Sequence, residues 1–183
     1  MNSFENIMRV LLQEENFWVR QSEKVNLTKE EKRDIGKPSI PRPEIDLVAL
    51  NYSRNEIVVL EVKSYLDSRG VVLSDVEVEY EEAQGRYKLF TCEKYRTIVF
   101  DRLKKDFVEN GLANEDTRFK LGLAAGKVYQ NKIAELSKYF ETRGWFFWGP
   151  DKIAERIRKL AKKGYEDDPV VMTTKILERS GFP

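Results

Sequence analysis

Histidine is absent from the 183-residue chain, and cysteine occurs once, at Cys92. Without histidine there is no Ser-His-Asp or Cys-His catalysis and no imidazole metal ligand. A single cysteine excludes an internal disulfide and any cysteine-cluster zinc site, and it suits a reducing compartment. Chemistry therefore falls to carboxylates, lysine, tyrosine and hydroxyls, and any bound metal must be a hard, oxygen-preferring ion. An excess of charge of one sign is also missing. The 32 Lys and Arg against 31 Asp and Glu leave a net charge of +1, so nucleic acid would have to be held by a local patch. No apolar run approaches the roughly 20 residues of a membrane span, and the first residues lack a secretory apolar core. A soluble, cytoplasmic protein with no membrane partner is expected.

What is present suits one domain over 1–183, with a core over about 1–129 and a C-terminal α/β extension over about 130–183. Phe4, Ile7, Met8, Leu11 and Leu12 share one face of a helix over 3–14. A strand follows from Phe17 towards Val25, then an irregular connection from Leu27 to Pro43 that is charged and next rich in Gly and Pro. Ile45 to Leu50 and Ile57 to Leu60 read as two strands joined by the turn residues Asn51 to Asn55, the second apolar enough to be covered on both faces. Residues 64–75 read as a loop with the extended piece Val71-Val72-Leu73, and a long helix is expected over 79–110, ended by Gly111. A strand over 119–129, a helix from Ile133 to Gly144, a strand over 145–148 and helices from Pro150 and Val170 complete the pattern. The fold class is α/β, a mixed sheet flanked by helices.

Charge intrudes on these apolar strands at particular places. Glu61 and Lys63 continue the run Ile57 to Leu60, and with a side-chain period of 2 they share a face that Val62 does not. Asp46, with Glu44 two residues before it, opens the neighbouring strand. A charge placed without partners at the end of a core strand costs several kcal/mol. If the two strands pair through the turn at 51–55, Asp46 and Glu61 come within reach of one cation. Carboxylates, a carbonyl and waters then form an octahedral Mg2+ or Mn2+ site, with Lys63 beside it to serve a water or a phosphate. The plainer reading of the same three residues is a structural ion-pair network at the sheet edge.

Glu44-Ile45-Asp46, fourteen intervening residues and Glu61-Val62-Lys63 resemble the PD-(D/E)XK, restriction-endonuclease-like nuclease superfamily. The resemblance implies a β-hairpin in a mixed sheet flanked by helices, Asp46 and Glu61 as metal ligands, and Lys63 as the catalytic lysine. Glu44-Ile45 replaces the proline common before the aspartate. Two further matches extend the likeness over most of the first half. Phe4-Glu5 is similar to the family's N-terminal helix with an assisting glutamate, and Glu5 lies in line with Met8 and Leu12. Gln84 and Tyr87, one turn apart on the expected helix, resemble the Gln-x-x-Tyr pair of RecB-type nucleases. Glu5 also suits a helix first turn by charge alone, Glu44 a solvated strand entry, and Tyr87 a buried stripe with Phe90.

The resemblance implies a Mg2+- or Mn2+-dependent hydrolase of DNA phosphodiesters, with RNA or a branched junction as other substrates of the same site and a homodimer as the assembly suited to cutting two strands. The rival expectation is a non-catalytic module, binding nucleic acid or a protein, that keeps the fold. Lys152, Arg156, Lys159, Lys162 and Lys163 on the penultimate helix supply a candidate phosphate-contacting face, or else an ordinary solvated one. Trp145-Phe146-Phe147-Trp148 reads as a buried strand rather than a base-stacking platform. Gly122 to Lys127 fails as a phosphate loop, because its glycines are one residue too close and Val128 replaces the required hydroxyl.

Overall fold

The computed structural model describes residues 2–181, and the stripe read from Phe4 to Leu12 becomes α1 (Ser3–Glu14). Asn2 caps it by accepting from the Phe4 N–H. After β1 (Trp18–Lys24), the connection expected to be irregular contains a short helix, α2 (Lys29–Asp34). Its cause is a capping box: the Thr28 hydroxyl accepts from Glu31 N–H, and the Glu31 carboxylate accepts from Thr28 N–H. The two charged strands form as β2 (Glu44–Asn51) and β3 (Glu56–Lys63), antiparallel through a tight turn.

The expected 79–110 helix is broken. Residues 73–77 form α3 (Leu73–Glu77), and helix resumes only as α4 (Lys88–Thr91) and α5 (Glu93–Glu109). Between them Gly85 takes a φ of 70°, a conformation that glycine adopts without strain. The Tyr80 N–H donates to the Thr91 carbonyl at 2.7 Å, folding the segment back over α4. The strand expected to reach residue 129 stops as β4 (Arg118–Ala125), although Val71 and Val128 make an isolated parallel bridge beyond its end. α6 (Ile133–Thr142), β5 (Phe146–Trp148), α7 (Pro150–Lys162) and α8 (Pro169–Arg179) follow close to their expected positions.

The sheet order is β1-β2-β3-β4-β5, antiparallel across the first three strands and parallel across the last three. Alternation along β2 and β3 divides the core in two. Val48, Leu50, Ile57 and Val59 face α5 and α6, where they meet Tyr95, Val99, Leu103, Leu136 and Phe140. Leu47, Ala49, Val58, Leu60 and Val62 face α1 and α7, where they meet Met8, Leu11, Leu12, Ile153 and Leu160. The last third of the chain thus contributes to both layers, and its strand completes the sheet.

Two glycines let the parallel strands approach. A Cβ at Gly122 would stand 2.9 Å from the Leu60 side chain, and one at Gly126 would stand 2.5 Å from the Ser64 carbonyl oxygen. The second matters here, because Gly126 N–H donates to the Lys63 carbonyl at 2.8 Å and fixes the end of β3. Among the described residues no helix is long and apolar enough to cross a membrane.

Candidate functional site

Side-chain alternation puts Glu61 and Lys63 on the same face of β3 as Ile57 and Val59, the face covered by α5. Asp46 occupies the matching face of β2, in step with Val48 and Leu50. The β2–β3 register runs from Asn51↔Glu56 to Leu47↔Leu60 and ends there. At the next step the Asp46 side chain takes over from the backbone: its Oδ2 accepts from the Val62 N–H at 2.7 Å. On the other side of β2 the register with β1 skips Ser22, which stands opposite Asp46 with a φ of 52°. The ladder is therefore interrupted on both sides of the aspartate, and the two charged strands part where their polar side chains begin.

Lys63 bridges the two acids. Its ammonium makes a short ion pair with Glu61 Oε1 and lies 3.8 Å from Asp46 Oδ2. The side chains of Asp46, Glu61 and Lys63 are 23%, 15% and 19% exposed, so all three are recessed and none points into bulk solvent. Burial raises the Glu61 carboxyl above its usual range, and the negative charge of Asp46 raises it further, while Lys63 opposes both. Burial disfavours the Lys63 ammonium, but the charge and hydrogen bond of Glu61, with Asp46 behind them, outweigh it and hold the amine above the ordinary lysine value.

Glu61 and Lys63 open into a cleft of about 290 Å³, which Asp46 does not line. One wall is the sheet with Glu44, Glu61 and Lys63; the other is the bend at 85–88 together with Tyr95. Burial, first of all, keeps the Tyr87 and Tyr95 phenols neutral by raising both well above the ordinary tyrosine value. A hard divalent ion fits this donor set. Two carboxylates converge beside the Lys63 ammonium, and their oxygens are the donor type that such an ion takes. Among the described residues no three His, Cys, Asp or Glu side chains gather into a metal-holding group, so further ligands would be carbonyl oxygens and water.

The other expected residues lie as follows. Glu44 is exposed at the mouth of the cleft. Glu5 belongs to α1, on the opposite layer, and its carboxylate accepts from the Asn2 N–H to close a capping box, the role that suits a first-turn acid. Gln84 and Tyr87 do not share a helix, because Gly85 bends the chain between them; Tyr87 is buried in the cleft wall and Gln84 is exposed and outside it. The basic helix α7 packs on the α1 side of the sheet, away from the acids, and most of its charge is paired. Lys152 and Lys159 meet Glu155, Lys163 meets Glu14 and Glu166, and Arg156 meets Glu15 while lying 4.4 Å from the centre of the Trp148 ring. Lys162 is exposed.

Sequence reasoning missed Arg86, Lys88 and Tyr95 as cleft residues. The signal available was Gly85 inside a run expected to be helical, which marks a bend that brings the following residues against the sheet. Comparison of the chain with protein-family models, with curated proteins and with solved structures returned no significant match.

Proposed function

We propose that the chain is a metal-dependent nuclease of the PD-(D/E)XK, restriction-endonuclease-like kind, hydrolysing DNA phosphodiester bonds with Mg2+ or Mn2+. One observation carries the reading. Asp46 and Glu61, from antiparallel neighbours, turn towards a single cationic group on one face of the sheet, at the point where the strand ladder opens. Lys163 also meets two glutamates, but on the open surface; at Lys63 both carboxylates and the amine are recessed.

Asp46 and Glu61 would hold the divalent ion. When bound, that ion supplies positive charge against a phosphoryl oxygen and favours deprotonation of water. Asp46 keeps its orientation through the Val62 N–H, which bonds the same Oδ2 that lies 3.8 Å from Lys63, so the carboxylate is set before any ligand arrives. Lys63, held by Glu61, presents a fixed ammonium to the phosphate oxygens and to the water that attacks phosphorus. Attack forms a new P–O bond, one P–O ester bond breaks, and the leaving alkoxide takes up a proton.

The test is incubation of the protein with plasmid, single-stranded DNA, RNA and a branched junction in Mg2+ or Mn2+, beside Asp46→Ala and Lys63→Ala. Cleavage of DNA, falling on the order of 100-fold in each variant, is the expected result. Cleavage that both substitutions leave unchanged overturns the proposal. Binding of nucleic acid without cleavage, and without heat on calorimetric titration with Mn2+, assigns the fold to a non-catalytic module instead.

A further inference from the structure

Lys88 is the first residue of α4 and lines the same cleft as Glu61 and Lys63, on the facing wall. Its ammonium lies 5.3 Å from the centre of the Tyr95 ring, and it is near enough to Glu61 to lower that carboxyl's pKa. Among the described residues, however, no carboxylate oxygen lies within 4.0 Å of it. Several other cations named above are already paired. Lys63 is committed to Glu61 and Asp46, and Lys152, Arg156, Lys159 and Lys163 are each held by a glutamate. An ammonium over an aromatic face keeps its charge while losing little freedom, and a lysine head is a compact point charge suited to a phosphate oxygen. Arg86, exposed on the same wall, adds a second positive group at the mouth.

We infer that Lys88 binds a phosphate of the nucleic-acid strand adjacent to the phosphate that is cleaved; this rests on the nuclease reading above. The cleft then has a division of labour. The sheet wall holds the reacting phosphate, and the wall at 85–88 holds its neighbour along the backbone, so the bend introduced by Gly85 is what gives the site a second phosphate contact. A role confined to balancing the charge of Glu61 makes a different forecast, because it acts on metal affinity and turnover and leaves strand binding alone.

The experiment measures binding of a 5′-fluorescein 20-nucleotide strand, single and annealed, by anisotropy in EDTA at several salt concentrations, with steady-state cleavage of the same strands in Mn2+. Lys88→Gln is compared with Lys88→Arg and wild type. The expected result for Lys88→Gln is roughly a 5- to 10-fold weaker affinity near 0.1 M salt. Its log–log salt slope should be smaller by about 0.7 on single strands or about 0.9 on duplex, and KM should rise with little change in kcat. Lys88→Arg restores both. An unchanged salt slope and KM in Lys88→Gln overturns the inference while cleavage by wild type leaves the nuclease reading standing. A reduced slope without any cleavage overturns the nuclease reading and, with it, the placement of Lys88 beside a cleaved phosphate. Failure of the wild-type protein to bind either strand overturns both.

Discussion

At the scale of single residues, the candidate site is a balance that its own charges do not settle. Two acids face one amine in a recess, and removing the amine leaves Asp46 and Glu61 facing each other. Lys63→Met should therefore cost about 1–3 kcal/mol of stability in EDTA, because recessed charges lose their partner. Millimolar Mn2+ should raise the melting temperature of this variant more than that of wild type, since the cation can occupy the place the ammonium left. Differential scanning fluorimetry with and without Mn2+ reads both effects, and an equal Mn2+ shift in the two proteins argues against a cation site between these carboxylates. Asp46 needs care of a different kind. Replacement by alanine orphans the Val62 N–H as well as deleting a charge, whereas Asp46→Asn keeps an acceptor and removes the charge alone.

At the scale of elements, α2 shows how a short helix is held in place. Glu31 closes its capping box and also receives three hydrogen bonds from two nitrogens of Arg102 on α5, at 2.7 to 3.1 Å. Burial, the largest single influence, would raise this carboxyl, but the Arg102 hydrogen bond, the Thr28 N–H and hydroxyl and the Arg102 charge together outweigh it and hold the group below the usual 4.5. The folded state therefore releases this proton more readily than the unfolded chain. The resulting stability is fully present above pH 4.5 and is lost as pH falls through the lowered value. Glu31→Gln should cost about 1–3 kcal/mol at pH 7, and the gap from wild type should close on acidification, as urea unfolding across pH 3 to 7 would measure. A gap that does not change with pH would mean that the charge on Glu31 contributes nothing.

The same two elements mark the limits of what could be read beforehand. Apolar periodicity was sufficient for α1, β2, β3 and α7, because those segments bury one face or both and little else competes. Period 2 was also sufficient to put Glu61 and Lys63 on one face, and the short turn to bring Asp46 beside them. Thr28-Lys29-Glu30-Glu31 carried a capping signal that composition alone obscured. The break at 79–87 depended on Gly85 and on a hydrogen bond from Tyr80 to Thr91, eleven residues on, and no local pattern encodes such a contact. For that reason the acids and the lysine were legible, and the facing wall of the cleft with Lys88 was not.

At the scale of the whole molecule, the C-terminal third is structural for the site although it contributes no charged group to the cleft. Phe140, fully buried, packs 5.5 Å from Phe90 and 5.2 Å from Phe147 between ring centres, so α6 supports the α4 wall from behind. β5 covers the edge of β4, and Trp148 and Leu160 join the layer beneath β3. A chain ending at residue 129 loses these contacts and bares β4 as an apolar edge. Such a fragment should show no cooperative thermal transition and weak near-ultraviolet circular dichroism, where the full chain shows both; a cooperative melt of the fragment would mean that residues 1–129 fold independently.

The hydrogen bond from Val62 to Asp46 has an evolutionary consequence. A descendant that abandoned hydrolysis would still need an acceptor at position 46 to tie its second strand to its third, so selection for folding alone would preserve aspartate or asparagine there. Persistence of that residue among relatives is thus poor testimony to turnover. Glu61 and Lys63 close no ladder with their side chains, and folding alone would tolerate their joint replacement by apolar residues; on the nuclease reading proposed above, their joint retention is the informative witness.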